Sequence, residues 1–481
     1  MTDRGVVAAG HPATASAGAA ALRAGGNAVD AAIAAVLTSF VAEPLLTGLG
    51  AGGYLLVAPP DQDPVLLDFF VEAPGRGAAT GPVPLVPVLV DFKSTTQVFN
   101  VGAASCGTYG APAGLAAGAE RFGRAPLAEL TAPAARLARE GVRVNAMQAY
   151  LFTLLTGILA STPEAAARYL SDGRPPQEGD LLRDPELGDA LDRFGRDGAA
   201  PFYTGDIGGA VSDWVQARGG VLTTADLDAY RVVPRSPLRV AYRGREIFTN
   251  PPPSAGGSRL AGALAYLAAG RVRPDALQMA AAMEAGEVAD PVSASAMVAD
   301  RLGSTTHISV LDGDGWACSV TCSIGTGSGI TVPGTGIHLN NMLGEDDLAP
   351  GGLCSHRVGD RLPSGMAPTV VRSAGVTELV VGSAGSSRIR SALLQVVVNV
   401  VDRGMSPQQA VDAPRMHVEQ GRAYAEPGID PVTLVAAGYD VQQFGAPNLF
   451  FGGCQAVRRD AGTGALDGGA DGRRNGAVVV A

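Results

Sequence analysis

Apolar and polar positions near the start of the chain sort into alternating helix-like and strand-like runs. "TASAGAAALRAGGNAVDAAIAAVLTSFVAE" reads as helix broken at Gly25-Gly26, while "GYLLVAP" and "PVLLDFF" read as strands, a mixed α/β pattern. Ala31 to Ala42 is an apolar run between Asp30 and Glu43; it is too short to span a bilayer and predicts a buried helix. Ala-rich helical stretches dominate from about Ala113 to Trp214. "GREIFTNPPPSAGGSRL" then ends a strand in a proline and glycine cluster that cannot continue regular structure, which marks a boundary. The small-residue segment from Leu260 to Gly303 fits a mobile tether as well as a helix.

Beyond that segment the chain is rich in strands and turns. Thr305 to Leu311 and Trp316 to Ser323 are β-prone runs separated by Asp312-Gly313-Asp314-Gly315, so the pattern predicts a hairpin whose first strand opens at Thr305. Farther on, the strand Leu379 to Val381 runs into Gly382-Ser383-Ala384-Gly385-Ser386-Ser387 and then an apolar helix. Unpaired amides and the positive end of the helix dipole collect at such a place, which suits an oxyanion. The loop has no lysine, so it is not a P-loop.

Composition narrows the function. An apolar share of 46% is ample for a large core in 481 residues, and a net charge of -10 gives no basic footprint for nucleic acid or an anionic membrane. Small-molecule chemistry is expected instead. The five cysteines, Cys106, Cys318, Cys322, Cys354 and Cys454, have no zinc-like spacing and suit reduced, buried thiols. "MTDRGVVAAGHPATASAG" lacks a basic region followed by an apolar one, so no secretory signal and a cytoplasmic location are expected. The histidines His11, His338, His356 and His417 are scattered, and neither a metal nor a cofactor is expected.

Taken in order, "LRAGGNAVDAAIAA", "LTGLGAGGYLLV", "PFYTG", "GGVLTTADLDAYR", "NPPPSAGG", "TTHISVLDGDGWACSVT", "GTGIHLNN", "MAPTVV", "GSAGSSRI" and "GMSPQQAVDAPRMH" resemble the γ-glutamyltranspeptidase family of N-terminal-nucleophile hydrolases over nearly the whole chain. The resemblance implies an α+β fold, a four-layer αββα sandwich made as one precursor that cuts itself between Ser304 and Thr305. A large chain, 1–304, with a variable linker over about 258–304, and a small chain, 305–481, would then form one interwoven domain and a heterodimer that could dimerise further. Thr305 would be the nucleophile and, once terminal, the holder of an amine base whose reference pKa of about 7.7 to 8.0 suits neutral pH. The resemblance also implies that Ser323 hydrogen-bonds the Thr305 hydroxyl and that Gly385 and Ser386 donate amides to the oxyanion. His307 is expected to orient or to support, because the amine already supplies the base.

The chain departs from the family where a glutamyl group would bind. In "DFFVEAP" the position of the carboxylate-gripping arginine holds Phe70, which is either pocket wall or ordinary core, although Arg76 lies nearby. Gly325 stands for an asparagine, Met342 for a glutamine, and Ser364-Gly365 for a double serine, while Glu345 keeps an acid that would meet a substrate amine. Three readings follow. The first is an amidohydrolase or acyltransferase on a small non-glutamyl amide, with water or an amine as acceptor. The second is a true γ-glutamyltransferase with a relocated anchor such as Arg76 or Arg361, and the third is a non-catalytic relative. Leu348 to Gly365, rich in glycine and proline, reads as a lid or as a plain surface loop.

Overall fold

The β-prone runs assemble chiefly into two large antiparallel sheets, with smaller sheets beside them, in a computed structural model that describes residues 3–78, 84–91, 96–270, 272–288, 304–345, 348–349 and 356–481. Thr306–Asp312 and Ala317–Ser323 form the expected hairpin, with Thr306 opposite Cys322 and Leu311 opposite Ala317. The first strand begins one residue later than the sequence suggests, which leaves Thr305 at its mouth. This hairpin lies inside a seven-stranded sheet ordered Ala477–Val480, Gly5–Ala9, Thr306–Asp312, Ala317–Ser323, Gly52–Ala58, Val65–Phe69 and Val233–Arg235. A six-stranded sheet runs Leu466–Ala470, Gly453–Arg459, Val376–Ala384, Thr369–Ser373, Arg245–Thr249 and Leu238–Tyr242.

The period of two along each strand decides what packs where. Val7, Ala9, Ile308, Val310, Cys318 and Val320 belong to the core under the helices Pro12–Arg23 and Ala28–Ala42. Val6, Ala8, Leu56 and Leu311 belong instead to the core shared with the second sheet, and Thr306–Asp312 packs on Val376–Ala384 and Gly453–Arg459. The helices Ala255–Ala268 and Ile389–Val401 lie against that second sheet. Ala28–Ala42 is buried along its whole length, as its apolar run requires, and a capping box fixes its start. The Asn27 side chain accepts the Val29 and Asp30 amides, while Asp30 accepts the amide of Asn27.

The stretch 258–304, expected to be a linker, carries most of the Ala255–Ala268 helix and all of Ala276–Val288, and these two helices pack together. Residues 289–303 lie outside the described ones. Among the described residues no helix is long and apolar enough to cross a membrane.

Candidate active site

The hairpin's open end sets Thr305 and Ser323 side by side. Thr305 and Ser304 are both buried, and the Ser323 hydroxyl, at the end of the partner strand, donates to the Ser304 carbonyl oxygen. Ser323 in turn accepts the amide of Gly325 at 2.9 Å. In the uncut chain the partner of Ser323 is therefore the carbonyl that Thr305 would attack, not the Thr305 hydroxyl that the family resemblance implies. A donor on that oxygen stabilises the negative charge that develops when the carbon is attacked.

One residue on, the Thr306 hydroxyl donates to Glu43 Oε2 at 2.6 Å. Glu43 follows the last turn of the Ala28–Ala42 helix, and its other carboxyl oxygen is buried without a hydrogen-bond partner. Burial raises the Glu43 carboxyl to about 7, against the opposing pull of the Thr306 bond and of the Arg474 charge. Burial likewise lowers Arg474 to about 10.

The predicted strand-to-helix loop is also present. The strand runs on through Ala384, Gly385 has φ +130° and Ser386 φ +51°, and a short 3₁₀ turn over Ser386–Arg388 leads into Ile389–Val401. Only glycine suits position 385, because a Cβ there would come within 2.7 Å of the Gly452 Cα. A serine held at positive φ stores strain of the kind that collects at functional sites.

These elements enclose a cavity of about 740 Å³, open in part to solvent, lined by Ser304, Thr305, Ser323 and Ser386. Gly385 is not among the lining residues, but it directly precedes Ser386, which is. All six residues singled out for substrate binding, Phe70, Gly325, Met342, Glu345, Ser364 and Gly365, line the cavity too. Phe70 is both wall and core: it is fully buried and stacks on Tyr54 with ring centroids 5.5 Å apart. Glu345 accepts from Asn341 Nδ2 at 3.0 Å and from the Thr326 hydroxyl at 3.4 Å, which holds it on the wall.

Neither arginine proposed as a relocated anchor lines this cavity. Arg76 pairs with Asp226 at 3.4 Å, and Arg361 pairs with Glu72 at 3.1 Å while lying over the Tyr230 ring. The cavity's own arginines are Arg259 and Arg390, which the sequence reading missed. Both are buried and share Glu287: Arg259 lies 3.4 Å from one oxygen, Arg390 contacts the other, and Arg390 also reaches Glu419 at 3.5 Å. A signal existed in each case, a charge set in an apolar helical run, "SRLAGALAYL" and "RIRSALLQVVVNVV". Such a charge must be either solvated or paired, and here it is paired.

His307 lies outside the cavity wall, between the sheets. Its Nδ1 is 2.7 Å from Thr321 Oγ1 and its Nε2 3.0 Å from Ser309 Oγ, and burial lowers it to about 3, so it is neutral near pH 7. The ring lies over Gly382, where a Cβ would come within 2.0 Å of it. Cys318 and Cys322 are buried free thiols on one strand face, and burial raises both well above the ordinary thiol range. Of the expected lid, Pro363, Ser364, Gly365 and Leu348 line the cavity, whereas residues 350–355, with Cys354, lie outside the described ones.

Comparison with known proteins bears on the family of the chain. A family model described as gamma-glutamyltranspeptidase matches residues 14–289 and 272–481. The acylase ACY 1 proenzyme of Pseudomonas sp. (strain SE83) is 32% identical, in a match covering 99% of this chain and 94% of that relative. The glutathione hydrolase proenzyme of Escherichia coli (strain K12) is 31% identical over 90% of this chain and 84% of its own. Among solved structures, the cephalosporin acylase from Bacillus halodurans superposes with a TM-score of 0.85 at 26% identity, covering 99% of this chain and 96% of that one. With the motifs in order from end to end and both sequence and fold matched at that extent, the chain belongs to the gamma-glutamyltranspeptidase family.

Proposed function

We propose that this protein is an N-terminal-nucleophile amidohydrolase or acyltransferase that cuts itself between Ser304 and Thr305 and then acts on an amide other than a γ-glutamyl one. The observation that carries the reading is the Ser323 hydroxyl on the Ser304 carbonyl beside a buried Thr305, inside a cavity. In self-cleavage the Thr305 hydroxyl oxygen adds to the Ser304 carbonyl carbon, and Ser323 receives the developing oxyanion. The C–N bond then breaks, Thr305 N takes the proton, and residue 304 becomes an ester on Thr305 Oγ. Water hydrolyses that ester and leaves a carboxylate at Ser304 and a free amine at Thr305.

In turnover the amine accepts the Thr305 hydroxyl proton as the oxygen attacks the substrate carbonyl. The amides of Gly385 and Ser386 receive the oxyanion, the leaving amine takes the proton, and water or a second amine removes the acyl group. The two sheets with helices outside them then constitute a four-layer αββα sandwich in which large and small chains interleave. No other group is called on for any step.

Substrate choice follows from the walls. Phe70 and Met342 cannot offset the lost hydration of a substrate carboxylate, which a charge-assisted bond to arginine would normally do. The relatives bear acylase and glutathione hydrolase names at similar identity, so the names alone do not choose between the two. A γ-glutamyltransferase is the second reading, favoured by Arg259 and Arg390 at the wall; it requires one of them to exchange Glu287 for the substrate.

The test is to assay cut protein on γ-glutamyl-p-nitroanilide beside neutral acyl anilides, with Thr305→Ala as the inactive, uncut control. Neutral acyl anilides are expected to be turned over at least about 100-fold faster, since each 1.36 kcal/mol of lost carboxylate binding is tenfold. Fast γ-glutamyl turnover that collapses in Arg390→Met would establish the second reading, and full activity in Thr305→Ala would sink both.

A further inference from the structure

Across Ser304 from this cavity lies another, of about 480 Å³ and also open in part to solvent, walled by Leu46, Phe99, Met147, Leu151, Leu154 and Leu155. Ser304 is the residue common to both walls. Several of these apolar side chains are only half-buried, and Arg474, attracted by Asp471 and more weakly by Glu43, lines the space as well. A concave apolar space beside a nucleophile is the usual form of a ligand site.

This inference rests on the cleavage reading given above. The ester formed in self-cleavage and the ester formed in turnover are bonded to the same atom, Thr305 Oγ. In the first the acyl part is residue 304; in the second it is the substrate's. The space that Ser304 occupies is therefore within reach of a substrate acyl group, and Ser304 is the residue that cleavage converts from a link into a chain end. We propose that cleavage joins the Leu151-lined cavity to the Thr305 site, and that this second lobe receives an apolar acyl chain, alkyl or aryl-terminated and longer than acetyl.

The experiment is a titration of the cut enzyme with the product carboxylates acetate, butyrate and hexanoate, followed by calorimetry. Each buried methylene contributes roughly fourfold in affinity, so hexanoate is expected to bind at least tenfold more tightly than acetate. Leu151→Trp and Met147→Trp, each filling the lobe from the Ala146–Leu154 helix, should bring the hexanoate-to-acetate ratio below threefold. Either variant that keeps the wild-type circular dichroism spectrum serves. Equal binding of acetate and hexanoate by cut wild-type protein overturns the lobe, as does a hexanoate preference that survives the tryptophan substitution. A chain that stays at 48.6 kDa by intact mass overturns instead the reading beneath it, so the mass separates the two failures.

Discussion

At the scale of single residues the site is a set of buried polar groups whose partners decide their chemistry. Ser323 holds the carbonyl of residue 304, so Ser323→Ala should slow self-cleavage about 100- to 1000-fold, the usual effect of losing one oxyanion donor. Densitometry of the two chains over time measures it, and cleavage at the wild-type rate would remove Ser323 from the mechanism. Glu43 gives a pH prediction. Its folded carboxyl is raised from 4.5 to about 7, so the native state keeps a proton that the unfolded chain has already lost. The cost is absent below pH 4.5, grows as pH rises to 7, and stays constant above. Glu43→Gln keeps an acceptor for Thr306 and removes the charge, so its stability relative to wild type should increase by on the order of 3 kcal/mol between pH 4.5 and 8. Over that window Arg474 stays charged, while the neighbouring His11, lowered to about 4 by burial, is neutral through nearly all of it. Denaturant unfolding at both pH values checks the prediction, and a difference that does not vary with pH would contradict it. The sequence displayed Thr305, Ser323 and the six cavity residues because they sit in ordered motifs. It hid Glu43, Arg259 and Arg390 because a lone charge in an apolar run does not say which distant charge or hydroxyl meets it.

At the scale of elements, local chemistry was legible and packing between elements was not. Asp312-Gly313-Asp314-Gly315 announces the hairpin turn, and the glycine and serine run after Val381 announces a loop before a helix. Residues 276–288 form a helix that composition left open between tether and helix, since small residues permit both and packing, mainly on Ala255–Ala268 and also on Met416–Glu419 and Pro431–Ala436, selects one. The polar side chains of His307, Ser309, Thr321 and Ser319 lie between the sheets, where Thr321, Ser309 and Ser319 each meet the His307 ring. That interface has no spare room at Gly382. Gly382→Ala places a methyl where the His307 ring sits, and overpacking of this kind costs about 1–3 kcal/mol or more. Chemical denaturation should register the loss, and a variant as stable as wild type would mean that the sheets can separate to admit the methyl.

At the scale of the whole molecule, strand order decides what self-cleavage leaves behind. Cutting before Thr305 severs one peptide bond, but the strands after it remain paired with strands before it. Thr306–Asp312 pairs with Gly5–Ala9, Ala317–Ser323 with Gly52–Ala58, Ala477–Val480 with Gly5–Ala9, and Thr369–Ser373 with Arg245–Thr249. Each seam is a continuous ladder of backbone hydrogen bonds, and the first two lie within the buried interior of the sheet. Neither piece could expose those edges to water without leaving the apolar faces of Val7, Ile308, Val310 and Val320 unburied as well. The cut protein should therefore run as a single species on a sizing column at every concentration of urea below the unfolding transition, and separate only as it unfolds. Denatured, it should give chains of about 31 and 18 kDa, the 48.6 kDa total divided in proportion to length at residue 304. Dissociation of the small chain without denaturant, with the large chain still folded, would show that the seams do not hold the assembly and that the peptide bond at Ser304 does.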